Sequence, residues 1–255
     1  MLEKRGKKAQ ATIFIILAIA VVVVGLVVFV LYKVAIIPSS TEGKEITEVR
    51  SYINEKTEKA TFDIAYLIGK QGGYAILPNK SLITEKKSIA YALYFDQNQL
   101  PSKEVVEKQI SDYIKSSLIF YLNEDYSLDN NSNLILKDYK INFDWNSLQV
   151  ETNLEDNSIQ VILTIKTKIV SDKNFLLEGY STKVDSRLGS FLDIADQIVN
   201  LKLRNQRIDE KFFSENKVSV EIFPIDSLRT IYSLKSFDKT NNQDYIFNVA
   251  TIENE

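Results

Sequence analysis

An α+β protein tethered by one N-terminal transmembrane helix is what this sequence predicts, with about three helices packed on antiparallel sheet. Three observations predict it. Residues 11–32 run for twenty-two positions without a charge. Three segments between residues 42 and 205 repeat apolar side chains at spacings of three, four and seven, the period of a helix with one buried face. Between 134 and 184, and again after 218, apolar and polar residues alternate in runs bounded by turn formers, as strands do.

The uncharged run comes first. As a helix it reaches roughly 33 Å, enough to cross a hydrocarbon core of about 30 Å. Lys4, Arg5, Lys7 and Lys8 precede it against one acid, Glu3, so residues 1–10 should stay cytoplasmic, with residues 11–33 as the anchor. A cleaved secretory peptide would have a shorter apolar core and small residues ahead of the cut. Here Lys33 occupies such a position, so an uncleaved anchor is expected.

Residues 34–41 form a linker containing Pro38, Ser39 and Ser40, and the exterior domain is expected over 42–255. Its first helix, 42–68, carries Ile46, Val49, Ile53, Ala60, Ile64, Leu67 and Ile68 on one stripe. Three of the chain's eight glycines then fall at Gly69, Gly72 and Gly73. A phosphate loop would precede a helix, where free N–H groups meet the anion; these glycines follow one and lack the GK[ST] ending. They read as a helix C-cap and tight turn into a strand at 74–77, leaving Gly69, Gln71, Gly72, Gly73 and Tyr74 as a candidate interaction loop.

A strand at 89–95 precedes a second helix. Pro101 and Ser102 open it, Glu104 lies in its first turn, and Val106, Ile110, Tyr113, Ile114 and Leu118 face inward to about 122. A polar stretch at 123–133 marks a candidate internal boundary. Strands follow at 134–145, 147–153, 158–170 and 175–184. A third helix runs from 186 or 187 to about 205, with Leu188, Phe191, Leu192, Ala195, Ile198, Val199 and Leu203 on its core side. A hairpin at 218–223 and 230–234 and a strand at 245–250 complete the α+β pattern.

Composition narrows the function. The chain carries a net charge of −3, and residues 1–33 hold five basic side chains against one acid, so the remainder stands at −7. Such a domain is a poor ligand for nucleic acid, where phosphate neutralisation dominates. With no cysteine and no histidine, disulfide frameworks, Ser-His-Asp machinery and HExxH zinc sites cannot be built. No cofactor and no catalytic residue are assigned.

Weaker patterns remain. Residues 129–133 have the oxygen density of a calcium loop, but Leu134 and Lys140 occupy the positions of the required Gly and Glu. Ser214 with Lys217, and Ser236 with Lys239, match SxxK without its companion motifs. Glu124 and Asp125 are adjacent acids that rarely face each other across a substrate. Asn79 and Asn130 head glycosylation sequons, and Tyr91, Tyr94 and Phe95 could line a ligand or partner surface, although strand aromatics more often enter a core or pack against a helix.

At the front edge, Lys7-Lys8-Ala9-Gln10-Ala11-Thr12-Ile13-Phe14 looks like the archaeal class III prepilin signal, cut here between Ala9 and Gln10. Filament subunits of that class usually carry a Glu where this chain has Phe14, which argues against a major subunit and leaves a minor, tip-like or stand-alone anchored protein. A plain signal-anchor is the alternative. With the Gly-Lys-Gln-Gly-Gly-Tyr turn at 69–74, Leu100-Pro101-Ser102 opening a helix and the Arg187-Leu188 helix, the chain resembles uncharacterised archaeal membrane-anchored proteins with such a signal and an α+β exterior domain. The resemblance implies one continuous exterior domain and no particular activity. The expected protein is therefore a single-pass, non-enzymatic binding or assembly module of the cell envelope. Its partners would be the bilayer through residues 11–32 and envelope or pilin-like proteins. The alternatives are an anchored surface-polymer hydrolase using carboxylates, or a solute-binding or sensory ectodomain.

Overall fold

The fold was read from a computed structural model, which describes residues 43–124, 133–136, 139–170, 174–208, 210–215, 218–238 and 243–253. The anchor expected at 11–33 lies outside them. Among the described residues no helix is long and apolar enough to cross a membrane. Two compact units divide the chain between Thr47 and Glu48, and both sheets belong to the second, Glu48–Glu255.

Four helices and two sheets make up the described residues. The order is α1 (Lys44–Lys70), β1 (Ser81–Ile83), β2 (Ser88–Tyr94), β3 (Gln97–Asn98), α2 (Lys103–Leu122), β4 (Leu134–Leu136), β5 (Tyr139–Leu154) and β6 (Ser158–Val170). Then come β7 (Asn174–Leu177), β8 (Tyr180–Asp185), α3 (Leu188–Leu203), α4 (Glu210–Glu215), β9 (Ser219–Pro224), β10 (Arg229–Asp238) and β11 (Gln243–Ile252). The α+β class expected from periodicity is what the chain adopts.

The helices follow the expected stripes, except that Leu67 of α1 and Tyr113 of α2 are half-exposed. In α1, Val49, Ile53, Ala60, Ile64 and Ile68 are buried, and Thr57 and Thr61 join them by donating to the carbonyls of Ile53 and Thr57 one turn back. In α2, Ser102 caps the N-terminus by accepting from Val105 N, and Val106, Ile110, Ile114, Leu118 and Leu122 face inward. Helix α3 begins without a side-chain cap. The β5–β6 turn serves instead: Asp156 O accepts from Ser190 N at 3.1 Å and from Ser190 Oγ at 2.6 Å. Gly189 permits this approach, because a Cβ there would lie 2.3 Å from Glu155 O. Leu203, expected on the core side, is exposed, one turn past the last buried residue, Val199.

The first sheet has the strand order β1-β2-β11-β10-β9, with β3 added to β2. It is mixed rather than antiparallel throughout, because β2 and β11 pair in parallel. Tyr245 of β11 stacks on Phe191 of α3 at 6.0 Å between centroids, and Phe247 packs tilted against it at 6.3 Å, fixing that helix on one face. The second sheet has the order β4-β5-β6-β7, with β8 also on β6. Ile159, Val161, Leu163, Ile165 and Ile169 of β6 are buried, matching the alternation in the sequence.

Several strands differ from expectation. Residues 74–77 form no strand: side chains claim their backbone, Ala75 N donating to Gln109 Oε1 at 2.7 Å, and Pro78 follows without an N–H. The strand that precedes β2 and pairs with it is β1, three residues long and centred on buried Leu82. The two strands expected at 134–145 and 147–153 divide elsewhere, into β4 and one long β5 that absorbs a register shift between Asp144 and Gln149. The strand expected at 175–184 is broken at Gly179, whose φ of +86° separates β7 from β8.

Candidate functional site

The glycine turn after α1 is a packing device. Gly72, at φ +77°, takes the left-handed position that ends the helix. Gly73 N donates to Ile68 O at 2.8 Å and Gly72 N to Gly69 O at 3.3 Å, the paired bonds of a Schellman motif. The helix thus ends at Lys70, and the cap is Gly72 rather than Gly69. The smallness of Gly69 has another use, since a Cβ there would lie 2.4 Å from the carbonyl oxygen of Ile246 in β11. Gly72 is tight against Ala90 O and Asn248 O, and Gly73 against the Pro101 ring. Gln71 O accepts from Ala90 N at 3.0 Å, and Tyr74 Oη donates to Gln99 O at 2.6 Å. Of the candidate interaction loop, Gly72 and Gly73 are buried, whereas Gln71 and Tyr74 are half-exposed.

Where the end of α1 meets the sheet there is a cleft of about 660 Å³. Its floor is set by register. Glu221 of β9 pairs with Ser233 of β10, and Ser233 pairs with Asn248 of β11, so three polar residues form one row across three strands. Ser233 and Asn248 are only 2% and 3% exposed. Asn248 Nδ2 donates to Lys70 O at 2.8 Å, while its Oδ1 is enclosed with no hydrogen-bond partner. Burying Ser233 and Asn248 in the sheet costs stability wherever their polar atoms lack partners, as Asn248 Oδ1 does.

Above this floor stand four lysines, Lys70, Lys86, Lys87 and Lys235, against Asp63 and Glu221. Lys235 pairs with Glu221. Lys70 Nζ lies 5.1 Å from the centroid of the Tyr66 ring, and Lys87 Nζ 4.6 Å from that of Phe223. Neither ammonium forms an ion pair with a carboxylate among the described residues. Burial holds Lys87 below the usual lysine range; Glu221 opposes that shift, and the charges of Lys235 and Lys70 add to it. A net positive cleft on a domain of net negative charge is suited to an anion.

The other expected positions are dispersed. Asn79 is exposed just before β1, and Ser81 of its sequon donates from Oγ to Pro78 O at 2.6 Å. Ala9, Gln10 and Asn130 lie outside the described residues, as do Asp125, Lys217, Lys239 and most of the 129–133 loop. Glu124 is bound to Lys59 at 2.7 Å and to Lys56 at 3.4 Å. Tyr91 lies in a small core with Leu82, Ile89, Ile231 and Ala250, where Tyr94 packs against it. No group of three or more acidic side chains among the described residues is placed to hold a metal ion.

The cleft was missed from sequence because its lysines come from three separate elements, the end of α1, the β1–β2 turn and β10. One signal was present. Ser233 and Asn248 stand in the same strand phase as Ile231 and Ala250, where an apolar residue would be expected. Compared with protein-family models, with curated proteins and with solved structures, the chain finds no match.

Proposed function

We propose that this chain is a single-pass, membrane-anchored protein of the cell envelope whose α+β domain is a non-enzymatic binding or assembly module outside the membrane. The observation that carries the reading is the uncharged run at residues 11–32 behind a basic flank, joined to a folded domain of opposite net charge. The lysine-lined cleft supports the binding role, because it gathers four cations above polar floor groups. In its sharper form the proposal includes class III processing between Ala9 and Gln10, with the helix retained. That form makes the protein an accessory of a pilin-like assembly, since Phe14 stands where filament subunits carry Glu.

The test is mass spectrometry of the mature N-terminus from native membranes, combined with protease treatment of intact cells. A chain beginning at Gln10, with peptides from 43–253 released outside, is the expected result. Retention of Lys4–Lys8 residues would remove the prepilin form, and protection of the domain from external protease would overturn its placement.

A further inference from the structure

The polar row does not stand alone on its face of the sheet. Two residues along each strand, the next in-phase row is Phe223 of β9, Ile231 of β10 and Ala250 of β11. Residues two apart on a strand lie about 7 Å from each other on the same face. The polar cleft therefore borders an apolar surface directly. A groove of about 510 Å³ lies over that surface, lined by Phe223, Ile225 and Ile231, with Thr84 and Glu85 at its rim. Phe223 and Ile225 are 38% and 40% exposed, and Ile231 forms the buried floor.

Lys86 and Lys87 line both cavities. They stand in the tight turn between β1 and β2, where Thr84 Oγ1 accepts from Lys87 N at 2.9 Å and Thr84 N donates to Lys87 O at 2.8 Å. The turn holds Lys87 at the boundary, with its ammonium over the Phe223 ring. One side of that boundary offers cations and polar atoms; the other offers hydrocarbon.

We infer that cleft and groove together bind an anionic amphiphile, an aliphatic chain ending in phosphate or carboxylate. The head group lies between Lys70 and Lys87, and the chain runs along Phe223, Ile225 and Ile231. Charge complementarity selects the head, because these two ammonium groups form no ion pair with a carboxylate among the described residues. Continuity of the two cavities on one sheet face selects the tail. The neighbouring Glu221, already engaged with Lys235, and Asp63 keep the anion toward Lys70 and Lys87 rather than deeper along the row. A bilayer lipid and a free acid share this chemistry. The inference rests on the reading of the domain as a binding module, and not on where its N-terminus is cut.

The experiment uses the full chain in nanodiscs of zwitterionic lipid, with lysines carrying ¹³C-methyl labels that preserve their charge. The probes are octyl phosphate, inorganic phosphate and octyl glucoside, titrated at measured free concentration while the Lys70 and Lys87 signals are followed. Octyl phosphate should bind at least tenfold more tightly than inorganic phosphate, and octyl glucoside should leave both signals in place. Lys87→Gln should weaken octyl phosphate at least tenfold, and Phe223→Ser should bring it down to the affinity of phosphate. Equal affinity for octyl phosphate and phosphate would overturn the groove's part, and unchanged binding in Lys87→Gln would overturn the site. Repeating the measurement in nanodiscs containing phosphatidic acid separates the sources. Signals shifted before any probe is added identify the bilayer, and signals shifted by the soluble probe alone identify a free ligand. Loss of the site would leave a correctly oriented anchor untouched, and a misplaced anchor would leave the binding curves untouched.

Discussion

Replacing Gly69 by alanine separates two effects of opposite sign. Gly69 lies in the last turn of α1, and exchanging glycine for alanine in a helix ordinarily stabilises by up to about 1 kcal/mol. Against this, the new methyl group would lie 2.4 Å from Ile246 O. That is well inside contact distance, and the obstacle is backbone held in the β10–β11 ladder through the Lys235–Ile246 pair. The helix end would have to retreat by several tenths of an ångström, loosening the 2.8 Å bond from Asn248 Nδ2 to Lys70 O. Overpacking of this kind costs about 1–3 kcal/mol, so the clash wins and the variant should lose about 1–2 kcal/mol. For a domain of this size that is roughly 2–8 °C in Tm. Urea denaturation of the full chain in nanodiscs, followed by far-ultraviolet circular dichroism, reads the change. Gly179→Ala is the control, because no atom lies within 4 Å of its Cβ position and only the φ of +86° is strained. A Gly69→Ala protein as stable as the parent, or more so, would refute the close approach of α1 to β11.

Further outcomes are expected. Gly189→Ala, with Glu155 O only 2.3 Å from the added Cβ, should also lower Tm, and it should expose the Asp156 turn to proteolysis before the rest of the domain. Tyr52→Phe removes the buried 2.8 Å bond from Tyr52 Oη to Leu122 O and should cost about 1 kcal/mol in urea denaturation. Burial pushes the Tyr180 phenol up from 10.0 to about 12, against the opposing pull of Thr167 and Arg50. The folded pKa is thus raised, so this contribution to stability is complete below pH 10 and is lost as pH rises toward 12. The loss is on the order of 2–3 kcal/mol. Alkaline unfolding of Tyr180→Phe should therefore be flatter across that window, and a curve parallel to the parent's would count against the shift.

The helices and β6 were legible because their signals are local. One buried stripe fixes α2 whatever it packs on, and Ile159 to Ile165 alternate without interruption. Gly179 was equally visible, but a single glycine does not announce whether a strand bends through it or stops. The strand expected at 74–77 failed for a non-local reason, since Gln109, far along the chain, takes the Ala75 N–H that a ladder would need. The same limit hid the cleft, for nothing near Lys70 or Lys87 in the sequence mentions Lys235. What could have been read is the misplaced polarity of Ser233 and Asn248 within their strands.

The parallel pairing of β2 with β11 has a consequence for the order of assembly. Tyr91 meets Ala250, so β2 must wait for a partner about 160 residues away. By the logarithmic law for loop closure this costs about 3 kcal/mol more than closing a hairpin of a few residues. The second sheet, built from near neighbours, can form first, with β11 seated late as the central strand of the other. A nascent domain halted before β11 would carry β2 and β10 as two unpaired edges, a state exposed to mispairing with other chains and one that a chaperone would have to shield.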